Sequence, residues 1–386
     1  MDSALANLLA PHNVEAFLQN HWTQKGLFIS SQGDRRFDYL FSWKKLTELL
    51  NFHEFDFPVM RLALDGKVLD PSDNQHFVKR CQEGATLILD RVHKFVPEIN
   101  QFASALRYET GHPVQVNTYC SYPEKQGFRC HYDTHEVFIL QVDGCKQWYV
   151  FPDTFKYPLI NHKSVDLTPP EGEAYLSCVL HPGDLLYIPR GHWHYAVALE
   201  QPSLHLTLGI LCKTGIDLLE WLINDLRDQE IWRENLPLIA NHPDLHINGL
   251  IQKLAQCLID RDIGSDYAKF LAMTERSLPE YAFPYQAGFQ IFAQGMQTQF
   301  RRPQYQQPEI QELVKDEAYQ IRVCRKEVKL QGVTGTFVHQ LFSKEHFTGA
   351  EIASWLPGFD WEAEIQPMLT RLVTEGLIFV EDLAFV

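Results

Sequence analysis

Apolar and polar residues alternate in short runs through the middle of this chain, whereas wider, helix-like spacings dominate its two ends. Strict alternation over about four to eight residues predicts strands that bury one face. Strands are expected at 114–120, 134–142, 145–151, 175–181, 184–189, 193–199 and 204–211. Many short strands separated by Gly and Pro, with little helix between them, favour a jelly roll or barrel over a parallel sheet.

The region before these strands mixes both patterns. Helical spacing predicts helices at 13–22, 42–50 and 97–106, and short apolar runs predict strands at 27–29, 59–63 and 85–89. Within the β region, Asp143-Gly144 lies between two alternating runs, a pattern typical of a two-residue hairpin. The first 212 residues are therefore predicted to form a β-rich domain with an N-terminal α/β extension.

After Cys212 the pattern becomes helical. Amphipathic helices are expected at 215–226, 246–260 and 264–276, and a segment rich in Pro, Gln and aromatic residues at 278–308 is interpreted as a connector. From residue 309 the pattern predicts a strand, helices at 338–342, 349–356 and 361–375, and a β element at 377–380. That order resembles a winged helix. The predicted domains are 1–212, 213–304 and 305–386.

Composition narrows the range of partners and locations. The 386 residues suffice for two or three domains, and the formal charge of −15 disfavours a nucleic-acid surface. Residues 309–386 carry 13 acidic against 7 basic side chains, which argues against phosphate contacts by the winged helix. The eight dispersed cysteines form no C-x-x-C pair, no signal peptide opens the chain, and no long apolar run suggests a membrane span. A reduced, cytoplasmic protein is expected.

Two histidine-rich segments carry the candidate chemistry. His131 and Asp133 form an H-x-D pair at the start of an alternating run, where both side chains should leave the same face. The segment 182–194, P-G-D-L-L-Y-I-P-R-G-H-W-H, follows some sixty residues later and should return His194 to the same site. His194 is preferred to His192 because it lies at the start of the next predicted strand, five residues after Pro189. Two imidazoles and one carboxylate are the ligand set of non-haem Fe(II), which leaves positions open on the metal.

The residues at 127–148, 181–194 and 204–209 resemble those of JmjC-type, cupin-fold 2-oxoglutarate oxygenases, in particular the ribosomal-oxygenase branch. The resemblance implies an α+β protein with a double-stranded β-helix (jelly-roll, cupin) core, a helical dimerisation region at 213–304 and a C-terminal winged-helix-like domain. It also implies Fe(II), 2-oxoglutarate as co-substrate and O₂. The metal ligands would be His131, Asp133 and His194, with no further catalytic residue assigned.

The same resemblance suggests a co-substrate pocket. Lys146 occupies the place of the family's basic residue that binds the distal carboxylate of 2-oxoglutarate, although a lysine at an exposed sheet edge is the alternative. A lysine in a strand suited to burial is costly without an anionic partner. Thr207 is the expected hydroxyl partner of that carboxylate. Asn117 either shapes the pocket or has only a structural role.

The expected activity is hydroxylation of a side chain in a protein or peptide, with a ribosomal protein as the implied substrate and a homodimer as the implied assembly. The alternatives are the same chemistry on a small precursor peptide, lysine demethylation, and a non-catalytic winged-helix and cupin regulator. The helical and winged-helix arrangement favours hydroxylation over demethylation. A cupin sugar isomerase would need more histidines at its metal.

Overall fold

The computed structural model describes residues 3–123, 127–236, 243–274, 281–306, 308–324 and 326–381. The chain divides into two compact units, Met1–Lys213 and Thr214–Val386. In the described ranges, no helix combines the length and apolar character needed to cross a lipid bilayer.

The first unit is built mainly from antiparallel strands, and their positions agree with the alternating runs to within about two residues. Its strands are β1 (Leu27–Ile29), β2 (Met60–Leu64), β3 (Lys67–Val68), β4 (Thr86–Leu89), β5 (Val114–Ser121), β6 (Glu136–Asp143), β7 (Lys146–Asp153), β8 (Leu176–Leu180), β9 (Leu185–Ile188), β10 (His192–Ala198) and β11 (Ser203–Ile210). Its helices are α1 (Ala4–Leu9), α2 (Val14–Asn20), α3 (Trp43–Phe52), α4 (Phe77–Gln82) and α5 (Pro97–Thr110).

These strands form two sheets that enclose a common core. The larger sheet has the order β1-β9-β6-β11-β5-β4-β2-β3, and the smaller one has the order β10-β7-β8. Buried residues of both sheets pack together, among them Ile139 and Leu186 from the larger sheet and Trp148 and Leu180 from the smaller. The predicted cupin-like, β-rich core is therefore confirmed.

The predicted hairpin at Asp143-Gly144 is wrong. The strands on either side of this turn, β6 and β7, belong to different sheets and do not pair with each other. Gly144 does adopt a positive φ of 65°, and a Cβ there would lie 2.1 Å from the carbonyl oxygen of Pro202. The Gln141 amide donates to the backbone carbonyl oxygens of Asp143 and Gly144, at 2.8 and 3.1 Å. The predicted tight turn at Asp143-Gly144 is therefore present, but a local sequence pattern does not specify which strands pair.

N-terminal residues cover the outer face of the larger sheet. Phe17 of α2 is fully buried, and its ring lies 4.9 Å from that of Tyr187 and 5.9 Å from that of Phe138. Two predicted helix starts are confirmed, since the Ser42 side chain caps α3 and Pro97 begins α5. Helix α1 was not predicted.

The second unit begins with helices. Its helices are α6 (Gly215–Leu226), α7 (Pro243–Ile259), α8 (Ile263–Thr274), α9 (Gly335–Ser343), α10 (Gly349–Trp355) and α11 (Gln366–Thr374), with a π-helical turn at Trp361–Ile365 before the last. Its strands are β12 (Gln299–Arg301), β13 (Glu309–Val314), β14 (Ala318–Val323), β15 (Lys326–Gln331), β16 (His346–Thr348) and β17 (Phe379–Val380). Thr214 and Asp217 form a capping box at the start of α6.

Two predictions in this unit need correction. The tail opens with three strands, β13-β14-β15, where one strand was predicted. The predicted connector at 278–308 contains β12, which pairs with β16 and β17. Phe300 of β12 is fully buried in the same core as Phe347 and Leu369. Residues 299–301 therefore pack with the tail. Positions 275–280 and 307, which belong to the predicted helix and connector, lie outside the described residues.

Candidate metal centre and adjoining pocket

His131, Asp133 and His194 meet in the first unit. One donor atom from each lies within 4.8 Å of the others, and His194 Nε2 is 3.5 Å from Asp133 Oδ2. The backbone joins the two segments, because His131 N donates to His194 O at 3.1 Å and His194 N donates to His131 O at 2.7 Å. The three predicted metal residues are thus brought together.

The local structure that carries them differs from the prediction. Strand β6 begins at Glu136, so His131 and Asp133 precede it and do not owe their common direction to sheet alternation. His131 instead forms an isolated antiparallel bridge with His194. Strand β10 begins at His192, and an irregularity in its pairing with β7 falls between His192 and Trp193. A bulge of this kind re-aims the side chains that follow it.

Backbone carbonyl groups fix the tautomer of both histidines. His131 Nδ1 lies 2.8 Å from Arg129 O, and His194 Nδ1 lies 3.0 Å from His192 O. Because a carbonyl oxygen only accepts, both Nδ1 atoms must be the protonated donors. Both Nε2 atoms therefore carry the free lone pair, as a metal ligand requires.

The protonation states agree with that geometry. Burial lowers the pKa of His131, and the neighbouring His194 lowers it further, which favours neutral imidazole. Burial alone would raise the pKa of Asp133, but the neighbouring imidazoles, His194 first, bring it well below its usual range. The site thus combines an ionised carboxylate with neutral imidazole nitrogen, and this donor set fits a divalent transition metal.

Lys146 lies inside the first unit and not at an exposed edge. The residue is 7% exposed, and Nζ donates to Ser121 Oγ at 2.8 Å and lies 5.7 Å from the Trp148 ring. Burial lowers the pKa of Lys146 to about 7, although Cys120 opposes the shift. Among the described residues, no carboxylate forms an ion pair with this ammonium group. The site therefore fits an anionic ligand that the protein itself does not supply.

The strands beside Lys146 present a polar face. Strand β11 pairs with β5 so that Ser203, His205 and Thr207 lie opposite Ser121, Tyr119 and Asn117, respectively. Sequence reasoning missed Ser121, although alternation continued from Asn117 along β5 would have placed it on this face.

His205 and Asn117 differ in how well their polar atoms are satisfied. The buried His205 ring stacks on Tyr119 at 5.0 Å, burial lowers its pKa, and its Nδ1 has no hydrogen-bond partner among the described residues. Asn117 Oδ1 accepts from Arg91 N at 2.9 Å and from Gln115 Nε2 at 3.0 Å. Thr207, its half-buried neighbour across the strand pair, lies on the same face as His205.

The chain is similar to known proteins in both sequence and structure. Residues 90–218 match the JmjC domain family. A curated relative, "Bifunctional lysine-specific demethylase and histidyl-hydroxylase NO66" of Drosophila persimilis, is 32% identical over 218 residues, which cover 53% of this chain and 31% of the relative. "Ribosomal oxygenase 1" of Gallus gallus is 31% identical over 249 residues, or 60% of this chain and 41% of the relative. The chain thus spans less than half the length of these relatives.

The fold is also similar to that of a solved structure. YcfD of Escherichia coli, described as a ribosomal oxygenase in complex with cobalt and 2-oxoglutarate, is 18% identical with a TM-score of 0.59. The match covers 96% of this chain and 99% of the other.

Proposed function

We propose that this chain, which carries a JmjC domain and is related to the ribosomal oxygenases, is an Fe(II)- and 2-oxoglutarate-dependent oxygenase that hydroxylates a side chain of a protein or peptide. One observation carries the proposal: His131, Asp133 and His194 offer donor atoms within 4.8 Å of one another. The backbone bonds to both Nδ1 atoms leave the two Nε2 atoms available.

Each residue has a defined task in this proposal. His131 and His194, through Nε2, and Asp133, through a carboxylate oxygen, would hold the iron, and a set of three protein ligands would leave room for the co-substrate. When bound, iron with 2-oxoglutarate and dioxygen supplies the oxidising power for C–H hydroxylation, with release of succinate and CO₂.

The pocket residues bind and orient the co-substrate. Lys146 and Thr207 bind its distal carboxylate, and Asn117 shapes the pocket wall. Ser121 holds the Lys146 ammonium in place through its 2.8 Å hydrogen bond. Trp148, which is buried between Lys146 and His194, keeps water from the space between carboxylate pocket and metal.

A ribosomal protein is the proposed substrate, because a relative bears the name ribosomal oxygenase. Lysine demethylation is the second candidate, because another relative is named both a demethylase and a histidyl-hydroxylase. Incubation with Fe(II) and 2-oxoglutarate, screened over ribosomal-protein and methyl-lysine peptides, separates them. Gain of one oxygen atom indicates hydroxylation, whereas loss of a methylene group with formaldehyde release indicates demethylation.

Variants of the metal residues test the centre itself. His131→Ala or Asp133→Ala should abolish succinate formation, because either change removes a metal ligand. His181→Ala is the matched control, since His181 is an exposed histidine that contacts the Cys145 thiol. Unchanged turnover in His131→Ala would refute the proposed centre.

We further propose a homodimer formed through 213–304, a winged-helix-like domain at 305–386 and a cytoplasmic location. Support for the dimer comes from α6, which exposes Ile216, Leu219 and Ile223 while Trp221 and Leu222 are buried. Leu219→Glu should convert a dimeric mass in light scattering to a monomeric one. A monomeric mass for the unchanged protein at micromolar concentration would refute the dimer.

The C-terminal domain is proposed to contact protein and not nucleic acid, because its described helices and strands carry more acidic than basic side chains. The non-catalytic regulator remains the rival here. Tight, salt-sensitive DNA binding in a gel-shift experiment would favour that rival.

A further inference from the structure

Two aromatic residues lie between the candidate metal ligands along the chain. Tyr132 separates His131 from Asp133, and Trp193 immediately precedes His194. Both are almost fully buried, at 3% and 1% exposure. The ligand rings of His131 and His194 lie beside each other, with centroids 4.5 Å apart, whereas Tyr132 and Trp193 form a separate pair.

The two rings contact each other. Their centroids are 5.0 Å apart and their planes are inclined by 88°, which is a favourable edge-to-face arrangement. The ligand-bearing segments are therefore joined twice, by the backbone bridge between His131 and His194 and by this aromatic pair. Movement of one segment relative to the other would disturb both.

The polar atom of each ring reaches the loop that follows β7. Tyr132 Oη donates to His162 O at 3.1 Å, and Trp193 Nε1 donates to Thr154 Oγ1 at 2.9 Å. These bonds lie at the two ends of the segment 154–162, which we call the brace segment. Its fold is fixed internally, because Leu159 N donates to His162 Nδ1 at 3.0 Å.

A third contact brings the brace segment against the backbone of the ligands. Gly191 has a φ of +89°, and a Cβ at this position would lie 2.9 Å from Pro158 Cδ and 3.1 Å from Phe155 O. The same Gly191 donates its N–H to Asp133 O at 3.0 Å. The brace segment thus packs against Gly191, whose backbone is hydrogen-bonded to that of Asp133, one of the candidate metal ligands.

We propose that Tyr132 and Trp193 are positioning residues that couple the brace segment to the spacing of the metal ligands. Neither ring offers a ligand atom, since Tyr132 Oη and Trp193 Nε1 both donate hydrogen bonds to the brace segment. Their role is to hold the His131–Asp133 segment and the His194 segment at the separation that a bound ion needs. The inference rests on the proposed metal centre.

The test uses Co(II) as the probe and Tyr132→Phe as the variant. This change keeps the ring contact with Trp193 and removes only the hydrogen bond to the brace segment. Co(II) affinity by calorimetry should fall about fivefold, the effect expected for a single hydrogen bond, and the visible ligand-field spectrum of the bound ion should shift. Thr154→Ala removes the other bond without altering either ring or either ligand motif, and should act in the same direction.

Backbone amide hydrogen exchange provides a second measurement that does not depend on enzymatic turnover. Coupling is reciprocal, so Co(II) should slow amide exchange in 154–162 of the unchanged protein, and this protection should be reduced in both variants. Tyr149→Phe is the matched control. Its ring stacks on Tyr195 at 4.8 Å, away from the brace segment, and the change should alter neither measurement.

The possible outcomes distinguish failure of the coupling through the brace segment from failure of the metal centre. Unchanged Co(II) affinity and spectrum in both Tyr132→Phe and Thr154→Ala, with normal binding by the original protein, would overturn the coupling alone. Failure of the original protein to bind Co(II) would overturn the metal centre and the proposed function with it. If Tyr132→Phe does not fold, Thr154→Ala decides the question alone.

Discussion

Replacing Lys146 with methionine should make the protein more stable and remove its function. Burial lowers the pKa of this lysine to about 7 from an ordinary 10.5, which corresponds to a cost of about 5 kcal/mol for the charged form. Methionine has similar length and no charge to bury. Loss of the hydrogen bond to Ser121 offsets about 1 kcal/mol of the gain. Imperfect repacking around the methionine side chain reduces the gain further. We therefore expect the free energy of unfolding at pH 7 to rise by about 1–3 kcal/mol.

Scanning calorimetry measures this change, with a shift of about 2–4 °C for each kcal/mol in a unit of this size. Binding of 2-oxoglutarate, followed by titration calorimetry with Co(II) present and oxygen excluded, should weaken at least about 100-fold because the carboxylate loses its charged partner. Lys44→Met is the matched control. The Lys44 side chain is 86% exposed, so neither stability nor binding should change appreciably.

The pH dependence of stability tests the same reasoning with a definite sign. Between about pH 7 and 10.5 the unfolded chain keeps the Lys146 proton that the folded chain has released. The original protein should therefore gain stability from this residue as pH rises through that window. The advantage of Lys146→Met should shrink accordingly. A variant that is less stable than the original at pH 7, or that binds 2-oxoglutarate within threefold of it, would refute the assignment of Lys146 as a costly carboxylate ligand.

Two further predictions follow from the geometry. Because an anionic ligand restores the ammonium form of Lys146, 2-oxoglutarate affinity should fall by roughly tenfold for each pH unit above 7, and a flat calorimetric profile would contradict this. Gly66→Ala should weaken Co(II) binding several-fold, since the new Cβ would lie 2.3 Å from Arg129 Cγ and the carbonyl of that arginine holds His131. Gly33→Ala has a similarly positive φ with nothing within 4 Å, so it should lose stability by strain without affecting the metal.

Sequence patterns predicted the strands of the first unit well because short apolar or alternating runs are separated by Gly and Pro, even though β4, β6 and β9 are buried on both faces. Alternation is a local signal, and it does not specify partners. That is why Asp143-Gly144 was misread as a hairpin, while it is a crossing between two sheets. The segment before β6 was misread for a related reason: His131 and Asp133 are held by a bridge to a segment some sixty residues away.

The candidate site was predicted by residue type and spacing, but its supporting contacts were not. Neither the Ser121 partner of Lys146 nor the aromatic pair of Tyr132 and Trp193 follows from a linear motif. These contacts depend on sheet register and on a loop fold that no periodicity encodes. In the second unit, β12 was missed because its three residues contain a single apolar side chain, Phe300, and so form no apolar run, unlike the equally short β1.

The polar face between β5 and β11 is the feature hardest to explain as structure alone. A sheet face that served only packing would carry apolar side chains, as the opposite face of β11 does with Leu204, Leu206 and Leu208. The inner face instead buries His205 with an unpaired Nδ1, and its Ser121 accepts a hydrogen bond from Lys146 of β7, which has no counter-ion among the described residues. Each uncompensated group costs stability, and a compact ligand with a carboxylate at one end would satisfy the ammonium. Binding of such a ligand should therefore stabilise the folded protein, by an amount that rises with the logarithm of one plus the ratio of ligand concentration to its dissociation constant.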